Sequence, residues 1–143
     1  MNTDEHGWSV CLSVFLGALA MGCAGKAVID EPYSSPLAAT SDAGRGREVF
    51  VSREGGHCVL CHAAPGVAIA GNVGPAMNGI GPRFTVPQLR LRVADITQVR
   101  RDTVMPTFHR TEGLERVAAE LRGKPALSAQ QVEDVVAYLS TLK

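Results

Sequence analysis

The sequence predicts an all-α domain, and three observations carry that prediction. Beyond residue 41 no stretch reads as a strand, because runs of β-branched and aromatic residues in alternation with polar ones are missing. Apolar residues recur instead at helical spacing, most clearly in the last fifteen residues or so. Between them, residues 63–84 hold five Gly and three Pro. So long a loop in so small a domain is usually functional, and here it has something to wrap.

The elements follow in order. Asp42 is placed to cap a helix through "AGRGREVFVS" that stops at Gly55-Gly56. The stretch "HCVLCH", His57 to His62, then occupies a short turn, and residues 63–84 are loop. Pro87 suits the first turn of a second helix, in which Leu89, Val93, Ile96 and Arg100 share a face, the first three as an apolar stripe. A loop with Met105-Pro106 interrupts. Leu114, Val117, Ala118 and Leu121 predict a short third helix, stopped by Gly123 and Pro125. In the last helix Ser128 and Gln131 make a capping box, Leu127 and Val132 a hydrophobic staple, and Val132, Val135, Val136 and Leu139 the apolar face.

Ahead of this domain stand a leader and a linker. Trp8 to Gly22 is a fifteen-residue apolar run, short for a membrane span of roughly twenty residues and right for a signal peptide. Its start departs from the usual basic one, since Asp4 and Glu5 precede it with no Lys or Arg. "LAMGC" resembles the lipobox of bacterial lipoproteins, with Cys23 as the acylated first residue; the alternative is a plain cut near Ala20 or Ala24. The expected division is a signal peptide over 1–22, a linker or lipoprotein tether over 23–41, and the domain over 42–143. Such a tether has a reach on the order of 20–25 Å. The expected place is the periplasm, at the membrane if Cys23 is lipidated.

All fourteen Lys and Arg follow Gly25, while two of the fourteen acidic residues precede it. The remainder is only weakly positive, which argues against nucleic acid as a partner. Of four cysteines, Cys11 and Cys23 fall in the leader, leaving Cys58 and Cys61. Two make no disulfide framework. A zinc site would need a second Cys/His pair, and downstream His109 stands alone. A thioredoxin-like redox pair would want a βαβ context that the Gly/Pro-rich flanks deny. The third reading is covalent haem: in C-x-x-C-H, Cys58 and Cys61 form thioether bonds and His62 ligates the iron. A sixth ligand would come from Met77, Met105, His57 or His109. His57 is tied beside Cys58 on the side of His62. A Met-Pro in a polar loop has little core to fill, which favours Met105.

A helix bearing Gly46 and Phe50, the C-x-x-C-H, the "GPAMNG" segment and a final helix with Tyr138 resemble the class I cytochromes c over Asp42 to Lys143. That resemblance implies their fold, a few helices around one covalently bound haem c, with the terminal helices crossing at Gly46, Phe50 and Tyr138. It places Met77 where the family has a leucine packed on haem. It makes the Pro75 carbonyl the acceptor from His62, and Met105 the distal ligand, with His109 as runner-up.

Three segments, "GNVGPAMNGIGPRF", "TVMPTFHR" and "GKPALSAQQVEDVVAYLSTLK", resemble the SoxX family more narrowly, although Thr107 stands where members commonly have a second proline. The resemblance implies an electron-transfer subunit that pairs with a SoxA-type cytochrome, in a complex that couples thiosulfate oxidatively to the carrier SoxYZ. The chain by itself offers no nucleophile once both thiols are alkylated, and no acid and base pair. Arg90, Arg92, Arg100, Arg101 and Arg110 are either solvated helix faces or a docking rim. Two other classes stay open: a free haem shuttle feeding a terminal oxidase, and a sensor or peroxidase-like enzyme, which would need an open sixth position.

Overall fold

Capping by Asp42 starts the first helix as expected. Its carboxylate accepts from the Arg45 amide, and α1 runs Ala43–Val51. The computed structural model describes residues 32–143; the leader, Cys23 and the tether as far as residue 31 lie outside the described residues. Helix α1 ends ahead of the double glycine, where Ser52 donates its amide to Glu48 and turns the chain. Cys58–Leu60 forms one 3₁₀ turn. The long loop contains a single short helix, α2, Ile80–Arg83.

Helix α3, Val86–Asp95, begins one residue before Pro87, in a capping box of Thr85 and Gln88. Its predicted stripe is only partly helical. Leu89 and Val93 are buried, whereas the α-helix stops at Asp95 and Ile96 passes into a 3₁₀ turn, Ile96–Gln98. The physical cause is Asp95, whose carboxylate takes bonds from the Thr97 amide and hydroxyl and from Gln98. Short polar side chains that bond the local backbone in this way compete with the helix.

The short helix expected around Leu114 to Leu121 does not form. Only Ala119–Leu121 makes a 3₁₀ turn, and Leu121 is 56% exposed. Arg116, inside the expected segment, holds a left-handed φ of 57°, which an α-helix cannot absorb. Helix α4, Ala129–Thr141, opens in the expected capping box of Ser128 and Gln131, with Leu127 and Val132 fully buried behind it. Among the described residues there is no strand.

Helices α1 and α4 cross where Gly46 lies. A Cβ there would stand 1.8 Å from the Asp134 carbonyl oxygen, so only glycine lets the two backbones approach. Phe50 and Tyr138 meet edge to face at the same crossing, 5.4 Å between centroids. Arg45 braces it from outside through two bonds to Asp134, at 2.8 and 2.9 Å.

Inside the junction of α3 and α4 sits an ion pair that spacing does not announce. Arg90 Nε is 2.5 Å from Glu133 Oε1, and both side chains are almost wholly buried. Arg90 also donates to the Tyr33 and Ser34 carbonyls, and Glu133 accepts from the Leu37 amide. Residues 33–37, read from sequence as linker, are thereby fastened to the helices. Arg90 is neither a solvated face nor a docking rim. Removing one partner of such a pair typically costs about 3–5 kcal/mol, since the other charge stays buried alone.

Candidate functional site

Cys58, His62, Pro75, Met77 and Met105 line one cavity of about 460 Å³, with Phe50, Ile80, Leu89, Val93, Phe108, Val135 and Leu139 among its walls. The volume lies within the range of cofactor and ligand sites. Each wall comes from an element already described: Phe50 from α1, Leu89 and Val93 from α3, Val135 and Leu139 from α4. A smaller cavity of about 150 Å³ adjoins it and shares Cys58, His62, Val73, Met105 and Phe108. Cys61 lines this second space, so both thiols of the motif face the same region.

The proximal geometry is built by the 3₁₀ turn. The amides of Cys61 and His62 both bond the Cys58 carbonyl, at 3.1 and 2.9 Å, which closes C-x-x-C-H into one compact turn. His62 Nδ1 lies 2.7 Å from the Pro75 carbonyl oxygen. A carbonyl only accepts, so Nδ1 carries the hydrogen and Nε2 keeps its lone pair for a ligand role. Gly74 makes room for the ring: a Cβ at that position would stand 2.3 Å from His62 Cε1. The Met77 amide bonds the Ala63 carbonyl at 2.8 Å, tying the two ends of the loop together beside the cavity.

The thiols themselves narrow the chemistry. Cys58 and Cys61 are not joined to each other. Burial pushes the Cys58 thiol up to about 11, with neighbouring Cys61 adding to it. Among the described residues no three His, Cys, Asp or Glu side chains converge on a metal-sized point. Two part-buried cysteines in one turn beside an oriented imidazole, next to a large apolar cavity with two thioethers, fit haem c as donor set and as space.

Of the four candidates for the distal position, the cavity gathers the two methionines. Met105 stands in a loop held at its far end by buried Phe108, whose carbonyl accepts the Leu127 amide at 2.7 Å. Met77 is 7% exposed and packs in the core. His57 lines the smaller cavity, in a left-handed turn beside Cys58. His109 is outside the lining of both: its Nδ1 bonds the Leu127 carbonyl at 2.9 Å, and its ring meets Tyr33 edge-on.

The arginines divide. Arg110 is part-buried and bonds Thr97, 3.6 Å from Asp95. Arg101 is exposed. Arg92 and Arg100 line the large cavity, together with Arg83, which sequence reading passed over. Spacing could not single out Arg83, because its position depends on a four-residue helix inside a Gly/Pro-rich loop.

The cytochrome c family profile matches residues 43–143. No curated protein matches the sequence. Among solved structures, a chain of SoxXA from P. pantotrophus is 35% identical, with a TM-score of 0.69, over 76% of this chain and 88% of that one. The oriented histidine, the paired thiols and the apolar cavity thus sit in a chain that belongs to the cytochrome c family, as a SoxX-like member carrying covalently bound haem c.

Proposed function

We propose that this cytochrome, whose family role is electron transfer, serves as the SoxX-type subunit of a SoxAX complex in thiosulfate oxidation, pairing with a SoxA-type cytochrome that works on the carrier SoxYZ. The observation that carries this reading is the 35% identity to a SoxXA chain across 88% of that chain's length. When bound, haem supplies a one-electron couple at its iron. The chain's own residues do the rest. Cys58 and Cys61 would anchor the group, His62, its ring held by Pro75, and Met105 would ligate it, and Met77 with Phe50 and Phe108 would keep water out.

Exposed apolar side chains support a protein partner. Leu60, Val73 and Val104, 64%, 67% and 83% exposed, border the smaller cavity beside Cys61. Apolar surface of that kind is covered when a partner docks. Purification from the native host tests the pairing: a larger c-type cytochrome follows this chain at constant ratio. Elution alone, with full competence to reduce an oxidase, would instead establish the free shuttle. We place the mature protein in the periplasm, held at the membrane if Cys23 is acylated and soluble there if it is not. Mass spectrometry of the native N-terminus decides the anchor, and an unmodified chain starting after Cys23 removes it.

A further inference from the structure

Residues 101–107, which carry Met105, make no backbone-to-backbone hydrogen bond with any described residue. The Met105 amide donates to the Thr103 hydroxyl at 3.1 Å, a bond between near neighbours that travels with the loop. Whatever holds the methionine in place therefore stands at the loop's ends. On the near side the last backbone bond runs from the Arg100 amide to Ile96 at 2.8 Å, and Arg100 itself is exposed.

The firm end lies at Phe108 and His109. Helix α3 stops at Asp95, which leaves the Ala94 carbonyl without its helical partner, and the His109 amide donates to it at 3.0 Å. The His109 ring reaches the other way. Its Nδ1 donates to the Leu127 carbonyl at 2.9 Å, while the Leu127 amide donates to the Phe108 carbonyl at 2.7 Å. Ala94 and Leu127 are wholly buried, one in α3 and the other just ahead of the Ser128 cap of α4. A single residue thus ties the methionine loop to the two helices whose Val93 and Val135 wall the cavity. Tyr33 covers the ring edge to face, 6.4 Å between centroids, and its own carbonyl is fastened by Arg90 at 3.1 Å.

We propose that His109, held under Tyr33, is the positioning residue of the distal loop: it lines neither cavity, and it sets how often Met105 leaves the iron. This rests on the Met105 reading above. Opening the loop breaks the ring's bond to Leu127, so a chain lacking that bond spends more time open. An outside ligand that needs the open form then binds more tightly in the same proportion. The net worth of one intramolecular hydrogen bond corresponds to about fivefold in such an equilibrium.

The test titrates oxidised holoprotein with imidazole, follows loss of the methionine-to-iron charge-transfer band, and records the denaturant midpoint beside it. Its variants are His109→Leu, His109→Asn and Tyr33→Leu, with Arg45→Gln at the crossing of α1 and α4 as a control for stability alone. Arg110, bonded to Thr97, still holds the chain beyond the loop when the ring is gone. His109→Leu keeps the band but binds imidazole about fivefold more tightly than the parent. His109→Asn, whose amide offers a donor in place of Nδ1, returns most of the way. Tyr33→Leu tightens binding a fewfold, since only the covering ring is lost. Arg45→Gln lowers the midpoint and leaves imidazole affinity at the parent's value. An affinity in His109→Leu no higher than in Arg45→Gln overturns the positioning role. If His109→Leu yields too little holoprotein, an unchanged affinity in Tyr33→Leu overturns it equally. A parent that shows no methionine band overturns the Met105 reading itself, and the role of His109 falls with it.

Discussion

Single atoms decide the site. The bond from His62 Nδ1 to the Pro75 carbonyl selects one tautomer, and the missing Cβ of Gly74 gives the ring its place. Because each thiol is an anchor and the cofactor fills the cavity, Cys58→Ala or Cys61→Ala prevents stable holoprotein. Expression with an intact maturation system, followed by haem staining and circular dichroism, checks this; abundant folded, haem-free protein would count against it. At this scale the sequence was informative where the chemistry is contiguous. C-x-x-C-H names its purpose within five residues, and the Pro75 acceptor follows from family resemblance. It was silent where neighbours in sequence part company in space: Arg90 and Arg92 are two positions apart on α3, yet one is sealed against Glu133 and the other stacks on Phe84 at the cavity.

Among the elements, α4 was the most legible because its start is written in local chemistry. Ser128 accepts the Gln131 amide and Gln131 reaches back to the Ser128 amide, at 3.3 and 2.9 Å. Replacing the cap in Ser128→Ala lowers unfolding stability by about 1 kcal/mol, read as a shifted denaturant midpoint with an unchanged slope and an unchanged visible spectrum. A loss near zero would mean that burial of Leu127 and Val132 fixes the helix start by itself. The reverse case is the segment around Leu114 to Leu121, where apolar spacing matched a helix. The left-handed Arg116 and the absence of any buried face in its one turn left that pattern without a helix. Spacing predicts a helix only where a core exists to receive the stripe. Pro87 lies in the first turn of α3 as expected, while the capping box of Thr85 and Gln88 around it went unread.

For the whole molecule, the junctions between helices carry charges that respond to acid. Burial pushes the Asp134 carboxyl up, but bonds from Arg45, the Asp42 amide and Gln130 outweigh it and hold it below the usual carboxylate range. Asp95 is lowered in the same sense: burial opposes, and Thr97, Gln98 and Arg110 prevail. A carboxylate with a depressed native pKa binds its proton more readily in the unfolded chain. Its contribution is therefore full above about pH 4 and fades as the pH falls below that. Asp134→Asn accordingly flattens the acid limb of the stability curve, and a limb as steep as the parent's would contradict it. These long-range bonds, like the fastening of residues 33–37 to Arg90 and Glu133, join residues some fifty to one hundred positions apart, which no local pattern records. The central claim is that the cavity holds haem between His62 and Met105. The most direct measurement is the methionine-to-iron charge-transfer band of oxidised holoprotein in two variants. Met105→Ala abolishes the band and opens the iron to exogenous ligands, while Met77→Ala keeps it; loss of the band in Met77→Ala with retention in Met105→Ala would contradict the account.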